Sequence, residues 1–265
     1  MELHGARAWY SGLSGEEQTL LSNAVLALPS RGLSHALFWG KVVGETCDYL
    51  VVVAQTPVDE DEDYPKSEFL FCTTASYKLK PLGRPTAQLP VPRDTPLTGN
   101  AAAELAPAVE ASEGEGGAVA GRPAFTERDL LAFVVHEIHN ATALVPKGAF
   151  VADPSHRVAY NPQFSGLSVA EAADVSSYFH LRKPADLSKA RTSEGLIRPS
   201  ELFDSITSTH AAGAWTTVVS ECEDWVSIRS LLYPGYAFYH QVGTKTFGGI
   251  YNGDGAANQD IAFML

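Results

Sequence analysis

The apolar positions of this chain fall mainly into short runs of strand length, broken by turn residues, with only a few stretches at helical spacing. Ser14-Gly-Glu-Glu17 has capping-box spacing, and Leu20, Leu21, Ala24, Val25 and Leu28 follow at helical intervals until Pro29. A short amphipathic helix is predicted there. Leu37-Phe-Trp-Gly-Lys-Val-Val43 and Cys47-Asp-Tyr-Leu-Val-Val-Val-Ala54 are rich in aromatic and β-branched residues around a short glycine turn, which predicts a hairpin. Phe69 to Thr74 predicts a third strand. Leu130-Leu-Ala-Phe-Val-Val-His-Glu-Ile138 reads as a strand from its composition, although Thr126-Glu-Arg-Asp129 also has the spacing of a helix start. Gly148 to Ala152 and Arg157 to Tyr160 predict two more strands. Ser168-Val-Ala-Glu171 opens a predicted helix through Ala172, Val175 and Phe179 toward Pro184. Glu201 to His210 fits another short helix, and Trp215 to Ser220 a strand. Trp225 to Tyr233 and Tyr236 to Val242 flank Pro234-Gly235, the pair a type II turn requires, and Gly248 to Asn252 closes the series.

These elements add up to an α+β fold, mainly antiparallel sheet with a few short helices. Strict strand–helix alternation is missing, which argues against a doubly wound parallel sheet. Between Pro81 and Pro123 the chain turns to Pro, Ala, Gly, Glu and Thr and lacks Phe, Tyr, Trp and Ile. Such composition buries too little apolar surface to offset ordering entropy and predicts a long disordered insertion. The organisation expected is a helix-and-hairpin part over 1–80, the insertion over 81–123 and an α+β part over 124–265 packed with the first as one domain.

The chain has 265 residues, 45% of them hydrophobic, enough for a sizeable core without metals or disulfides. Its three cysteines, Cys47, Cys72 and Cys222, lack metal-ligand spacing and read as reduced thiols of a cytosolic protein. The formal charge of −12 opposes binding to nucleic acid or anionic membranes, so neither is expected as a partner. The acidic run Asp59 to Asp63 reads as a solvated loop.

Candidate chemistry is sparse. His136-Glu137-Ile-His139 resembles a zincin pair, but the second histidine falls one residue short of the four-residue helical spacing, and on a strand the two would face opposite sides. A metal-dependent hydrolase using His136, Glu137 and His139 is the alternative this motif offers. Gly253-Asp-Gly255 is a turn with no room for a following phosphate-binding helix. His180-Leu-Arg-Lys183 reads as a basic cluster at a helix C-terminus. No catalytic residue, cofactor or metal site is expected. The aromatics Trp39, Trp225, Tyr233, Tyr236, Phe238 and Tyr239 sit on the predicted hairpins. Adjacent strand residues such as Phe238 and Tyr239 face opposite sides, so both faces carry large apolar groups, and these six are candidates for core or partner interface.

Several blocks resemble one family. Leu37-Phe-Trp-Gly-Lys-Val-Val-Gly44 with Asp48-Tyr49 is similar to the N-terminal signature of radial spoke head protein 9. So are Phe164-Ser-Gly-Leu-Ser168, Ser176 to Pro184, Arg229 to Gly235 with Phe238-Tyr-His240, and the ending Phe263-Met-Leu265. Tyr233 stands where the family typically has Trp, and the Pro81–Pro123 stretch matches nothing in it. The resemblance implies a non-enzymatic, cofactor-free subunit of the radial spoke head in the axoneme of motile cilia and flagella. It implies radial spoke head proteins 4 and 6 as partners, with transient contact to the central apparatus and a part in regulating motility.

Overall fold

In the computed structural model the residues described are 12–28, 36–56, 64, 66–85, 96–106, 125–152, 157–183, 202–209 and 213–264. The acidic run 59–63, Glu201, His210 and residues 86–95 and 107–123 of the Pro/Ala-rich stretch lie outside them.

The fold is α+β and built around one eight-stranded sheet. Its strands are β1 (Ala36–Val42), β2 (Tyr49–Thr56), β3 (Lys66–Thr73), β4 (Ser76–Pro81), β11 (Trp215–Val219), β12 (Trp225–Ser230), β13 (Tyr236–Gln241) and β14 (Phe247–Gly253). The order is β11-β12-β13-β14-β1-β2-β3-β4, so the two ends of the chain meet at the centre. Every neighbour is antiparallel except β14 and β1, which run parallel. Three two-stranded pairings surround the sheet: β5 (Glu104–Ala106) with β6 (Phe125–Thr126), β7 (Leu144–Pro146) with β10 (Tyr178–His180), and β8 (Phe150–Ala152) with β9 (Val158–Tyr160).

The continuous apolar run of β2 follows from burial on both faces. Tyr49 and Val51 enter a large inner cluster, whereas Leu50, Val52 and Ala54 join Leu21 and Val25 of the Gly15–Leu26 helix, and Leu28 just after it, on the outer face. That helix begins as its sequence predicts. Ser14 Oγ accepts from the Glu17 N–H and the Glu17 carboxylate accepts from the Ser14 N–H. Lys41 on β1 then ties Glu17 (3.0 Å) to Asp48 (2.8 Å). Burial opposes the charge on Glu17, but its bonds to Ser14 and Lys41 hold the carboxyl below its ordinary range.

Two sequence expectations fail here. Leu130–Ile138 is not a strand but the middle of a helix, Glu127–Thr142. Leu130, Leu131, Val135, Ile138 and Thr142 are buried at three- and four-residue spacing, and the Asp129 carboxylate accepts from both the N–H (3.0 Å) and the hydroxyl (2.7 Å) of Thr126. Sixteen residues is helix length, and the cap outweighs the β-branched content. The helix opened by Ser168 is also short, Val169–Ala173. Asp174 caps a 3₁₀ turn at Val175–Ser177, and the chain extends into β10 to pair with β7. The basic cluster therefore has another setting. His180 is a buried strand residue, and Arg182 donates to the Asn140 carbonyl (3.0 Å) in the last turn of the Glu127–Thr142 helix.

The composition-based reading of Pro81–Pro123 as one disordered insertion is corrected over 96–106. Leu97 is buried in the inner cluster, and Glu104–Ala106 pairs with β6.

Candidate interaction surface

The six singled-out aromatics divide by sheet face. Trp39, Tyr233, Tyr236 and Phe238 are core: all are buried in the inner cluster with the Glu127–Thr142 helix. Trp39 lies against Tyr251 (ring centroids 5.5 Å) and edge-on to Phe69 (6.2 Å). Phe238 meets Tyr178 edge-on at 5.5 Å. Tyr236 reaches over Gly249, where a Cβ would stand 2.3 Å from its hydroxyl oxygen. Burial raises its phenol pKa well above the ordinary value, against the pull of a backbone hydrogen bond at Leu144.

Trp225 and Tyr239 lie on the other face. Both are half-buried, with ring centroids 5.9 Å apart and planes at 54°. Tyr239 crosses Gly248 of β14, supplying the apolar cover that the glycine lacks. Nearby, Thr216 and Arg229 are exposed and Val218 is 48% exposed on the edge strand β11. The Gly15–Leu26 helix packs on the outer face of the β1–β4 half. None of the apolar clusters among the described residues takes a side chain from the outer face of β11–β14.

The histidine motif forms a packing contact. On the helix His136 and His139 share a face, and both lie edge-on to Phe69, at 4.8 and 5.0 Å. His136 Nε2 lies 3.2 Å from the Gly83 carbonyl. Burial, then the neighbouring His136, push the His139 imidazole down to about 4, so it is neutral at pH 7. Among the described residues no group of three or more His, Cys, Asp or Glu is placed to hold a metal. Gly253-Asp-Gly255 is a turn, and its Gly255 N–H donates to the Tyr251 hydroxyl (2.8 Å).

A buried carboxylate went unseen in the sequence. Glu127 is fully buried at the start of its helix. It accepts from the Tyr49 hydroxyl (2.8 Å), the Gly99 N–H (2.7 Å) and the Thr98 hydroxyl. It thus fastens the 96–106 segment to β2. The capping spacing at Thr126–Asp129 hinted at the helix start, but nothing local marked Glu127 rather than Asp129 as the buried acid.

The sheet is split near its centre. β1 and β14 pair only over Gly40–Val42 and Tyr251–Gly253. Before those positions Ala36–Phe38 stay with β2 and Phe247–Ile250 with β13. The register of β1 shifts between Phe38 and Gly40, making Trp39 the bulged residue, and a bulge bends its strand and terminates pairing. A cavity of about 360 Å³ lies where the strands part, lined by residues of both edges and floored by Leu144 and Val145.

No family model matches the chain. It is 30% identical over 264 residues to the radial spoke head protein 9 homolog of Bos taurus, covering 96% of this chain and 94% of that protein. The Homo sapiens homolog aligns with the same identity and coverage. The Mus musculus homolog is 29% identical over 96% of this chain and 94% of its own length. With such identity running through nearly the whole of both partners, the chain belongs to the radial spoke head protein 9 family.

Proposed function

We propose that the protein is a non-catalytic structural subunit of the radial spoke head in the axoneme of motile cilia and flagella. The observation that carries this is the full-length similarity to radial spoke head protein 9 homologs. In this reading it assembles with radial spoke head proteins 4 and 6 and helps regulate bending through transient contact with the central apparatus. The outer face of β11–β14, which carries the half-buried Trp225 and Tyr239 and adds no side chain to the apolar clusters among the described residues, supports a role in assembly, since Trp and Tyr are enriched among the side chains that dominate binding at protein interfaces.

The hydrolase alternative is disfavoured by the histidine geometry. His136 and His139 spend their shared face on Phe69, and among the described residues no group of three or more His, Cys, Asp or Glu is placed to hold a metal. Stoichiometric zinc in the purified protein would revive it. A tagged copy in a ciliated cell tests the main reading: localisation along axonemes is expected, and its absence from them overturns the assignment. In the same cells, Trp225→Ala with Tyr239→Ala should reduce co-purification with other spoke head subunits while leaving the protein folded.

A further inference from the structure

The geometry points to the split between β1 and β14 as an acceptor for an extended segment of a different polypeptide, which adds a strand inside the sheet. The segment carries large apolar side chains at alternate positions and an acidic residue that meets Lys245. This deepens the assembly reading above and rests on it.

Four observations carry the inference. First, the edges 36–39 and 247–250 face one another after their mutual ladder has stopped at Gly40 and Tyr251. Alternate residues of a strand aim N–H and C=O away from the partner already paired, so each edge offers donors and acceptors that only another backbone satisfies in series. A compact small molecule would leave most of them unmet. Second, the opening has a structural cause. The Trp39 bulge turns β1 aside, whereas Gly40, where a Cβ would lie 2.3 Å from the Tyr251 carbonyl oxygen, holds the strands tightly together just beyond it. Four residues at about 3.3 Å each give an edge of roughly 13 Å, long enough to register a short strand.

Third, the lining suits alternating apolar side chains. Trp39, Leu144 and Val145 line the inner side, and Phe38, Tyr239 and Ile250 the outer. Gly248 and Gly249 carry no side chains of their own, because Tyr239 and Tyr236 lie over them from opposite faces, so a guest backbone can come close. Fourth, charge sets the partner. Lys245 is the one charged side chain among the described lining residues at pH 7, held at the mouth by a bond to the Pro162 carbonyl (2.6 Å), while His139 is neutral. An acidic residue is therefore favoured locally on a chain whose formal charge of −12 disfavours docking of a second copy.

The test uses the protein in its axonemal assembly. A photo-cross-linking benzophenone amino acid replaces Leu37, which lines the split and is 46% exposed, and in a control chain replaces Val218 on the distant edge strand. Mass spectrometry of the cross-links from position 37 should identify one extended segment of another subunit, with alternating apolar residues and an Asp or Glu, that position 218 does not capture. That segment, made as a peptide, should bind the purified protein and protect the amides of 247–250 from hydrogen exchange. Lys245→Glu and Leu37→Trp should each weaken binding by about tenfold or more, as should methylation of alternate peptide nitrogens, which removes donors but keeps the side chains. Cross-links confined to this chain or to a second copy, a bound small molecule in the split, or binding indifferent to nitrogen methylation would each overturn the proposal. A chain that reaches axonemes yet fails these tests overturns the strand acceptor alone; a chain absent from axonemes removes the reading beneath it.

Discussion

Replacing Glu127 tests how the fold holds its least regular part. Glu127→Ala removes the acceptor shared by the Tyr49 hydroxyl, the Gly99 N–H and the Thr98 hydroxyl. Tyr49 is fully buried, so its hydroxyl finds no water in exchange. A buried donor stranded in this way costs about 1–3 kcal/mol, and bonds to an ionised acceptor lie at the upper end. Loss of a negative charge in the first helical turn adds roughly 0.5 kcal/mol. Relief from burying a carboxylate offsets part of this, leaving an expected loss of about 3 kcal/mol. For a chain of this size that lowers Tm by roughly 6–12 °C.

Glu127→Gln separates shape from charge. Its amide oxygen keeps the acceptor used by Tyr49 and Gly99, and the Thr98 hydroxyl can turn to accept from the amide nitrogen, so about 1–2 kcal/mol is expected. Urea unfolding followed by circular dichroism gives both values. Hydrogen exchange adds a local readout, because the Gly99 amide should lose protection in Glu127→Ala before the sheet does. A loss below about 1 kcal/mol for the alanine variant, or unchanged exchange over 98–103, would refute the view that this carboxylate fastens the segment.

Acidification provides a second test. The His139 imidazole is depressed to about 4, so between roughly pH 6.5 and 4 the unfolded chain takes up a proton that the folded chain does not, and stability falls as pH falls. The shift corresponds to about 3 kcal/mol, and His139→Gln should flatten the wild-type stability profile by that amount, whereas parallel profiles would refute it. The aromatic division predicts that Phe238→Ala costs about 3–5 kcal/mol in thermal unfolding, and Trp225→Ala about 1 kcal/mol or less. Equal losses would place Trp225 in the core. Gly40→Ala should destabilise by about 1–3 kcal/mol, since its Cβ would meet backbone rather than a movable side chain, and an unchanged Tm would show that the β1–β14 junction can give.

Much of the sheet was legible because its signals are local. The Pro234-Gly235 turn appears with Gly235 at φ +97° and the Tyr236 N–H donating to the Tyr233 carbonyl, and the Ser14 cap forms both of its bonds. The β1–β2 and β12–β13 hairpins formed for the same reason. What stayed hidden is set by residues far apart in the chain. Leu130–Ile138 has strand composition, and burial of a three-to-four-residue stripe against the sheet, together with the Thr126 cap, makes it a helix. Leu97 sits in a tract too poor in apolar residues to order itself, and it is held by a carboxylate thirty residues away. The β1–β14 pairing joins opposite ends of the chain, so no run of sequence announces it. Alternation separates Phe238 from Tyr239, but nothing local says which face packs into the inner cluster.

Which face is covered explains the plan of the molecule. The inner face of the sheet packs against the Glu127–Thr142 helix and the small pairings around it, which buries Trp39, Phe69, Phe71, Trp215, Phe238 and Tyr251 of β1, β3, β11, β13 and β14 in one cluster. On the outer face the Gly15–Leu26 helix packs over β1–β4, fixed by the Lys41 bridge to Glu17 and Asp48. Beyond β1, on the β11–β14 side, the cover changes character: Tyr239 shields Gly248, and Trp225 lies beside Tyr239 without joining an apolar cluster. The split lies at this boundary, between the half packed under the Gly15–Leu26 helix and the half whose outer face joins no apolar cluster among the described residues. If strand addition there is coupled to docking on the Trp225–Tyr239 face, Lys245→Glu and Trp225→Ala should be non-additive in their effect on assembly, with the double variant little worse than the poorer single one. Strict additivity would make the split and the face two independent contacts.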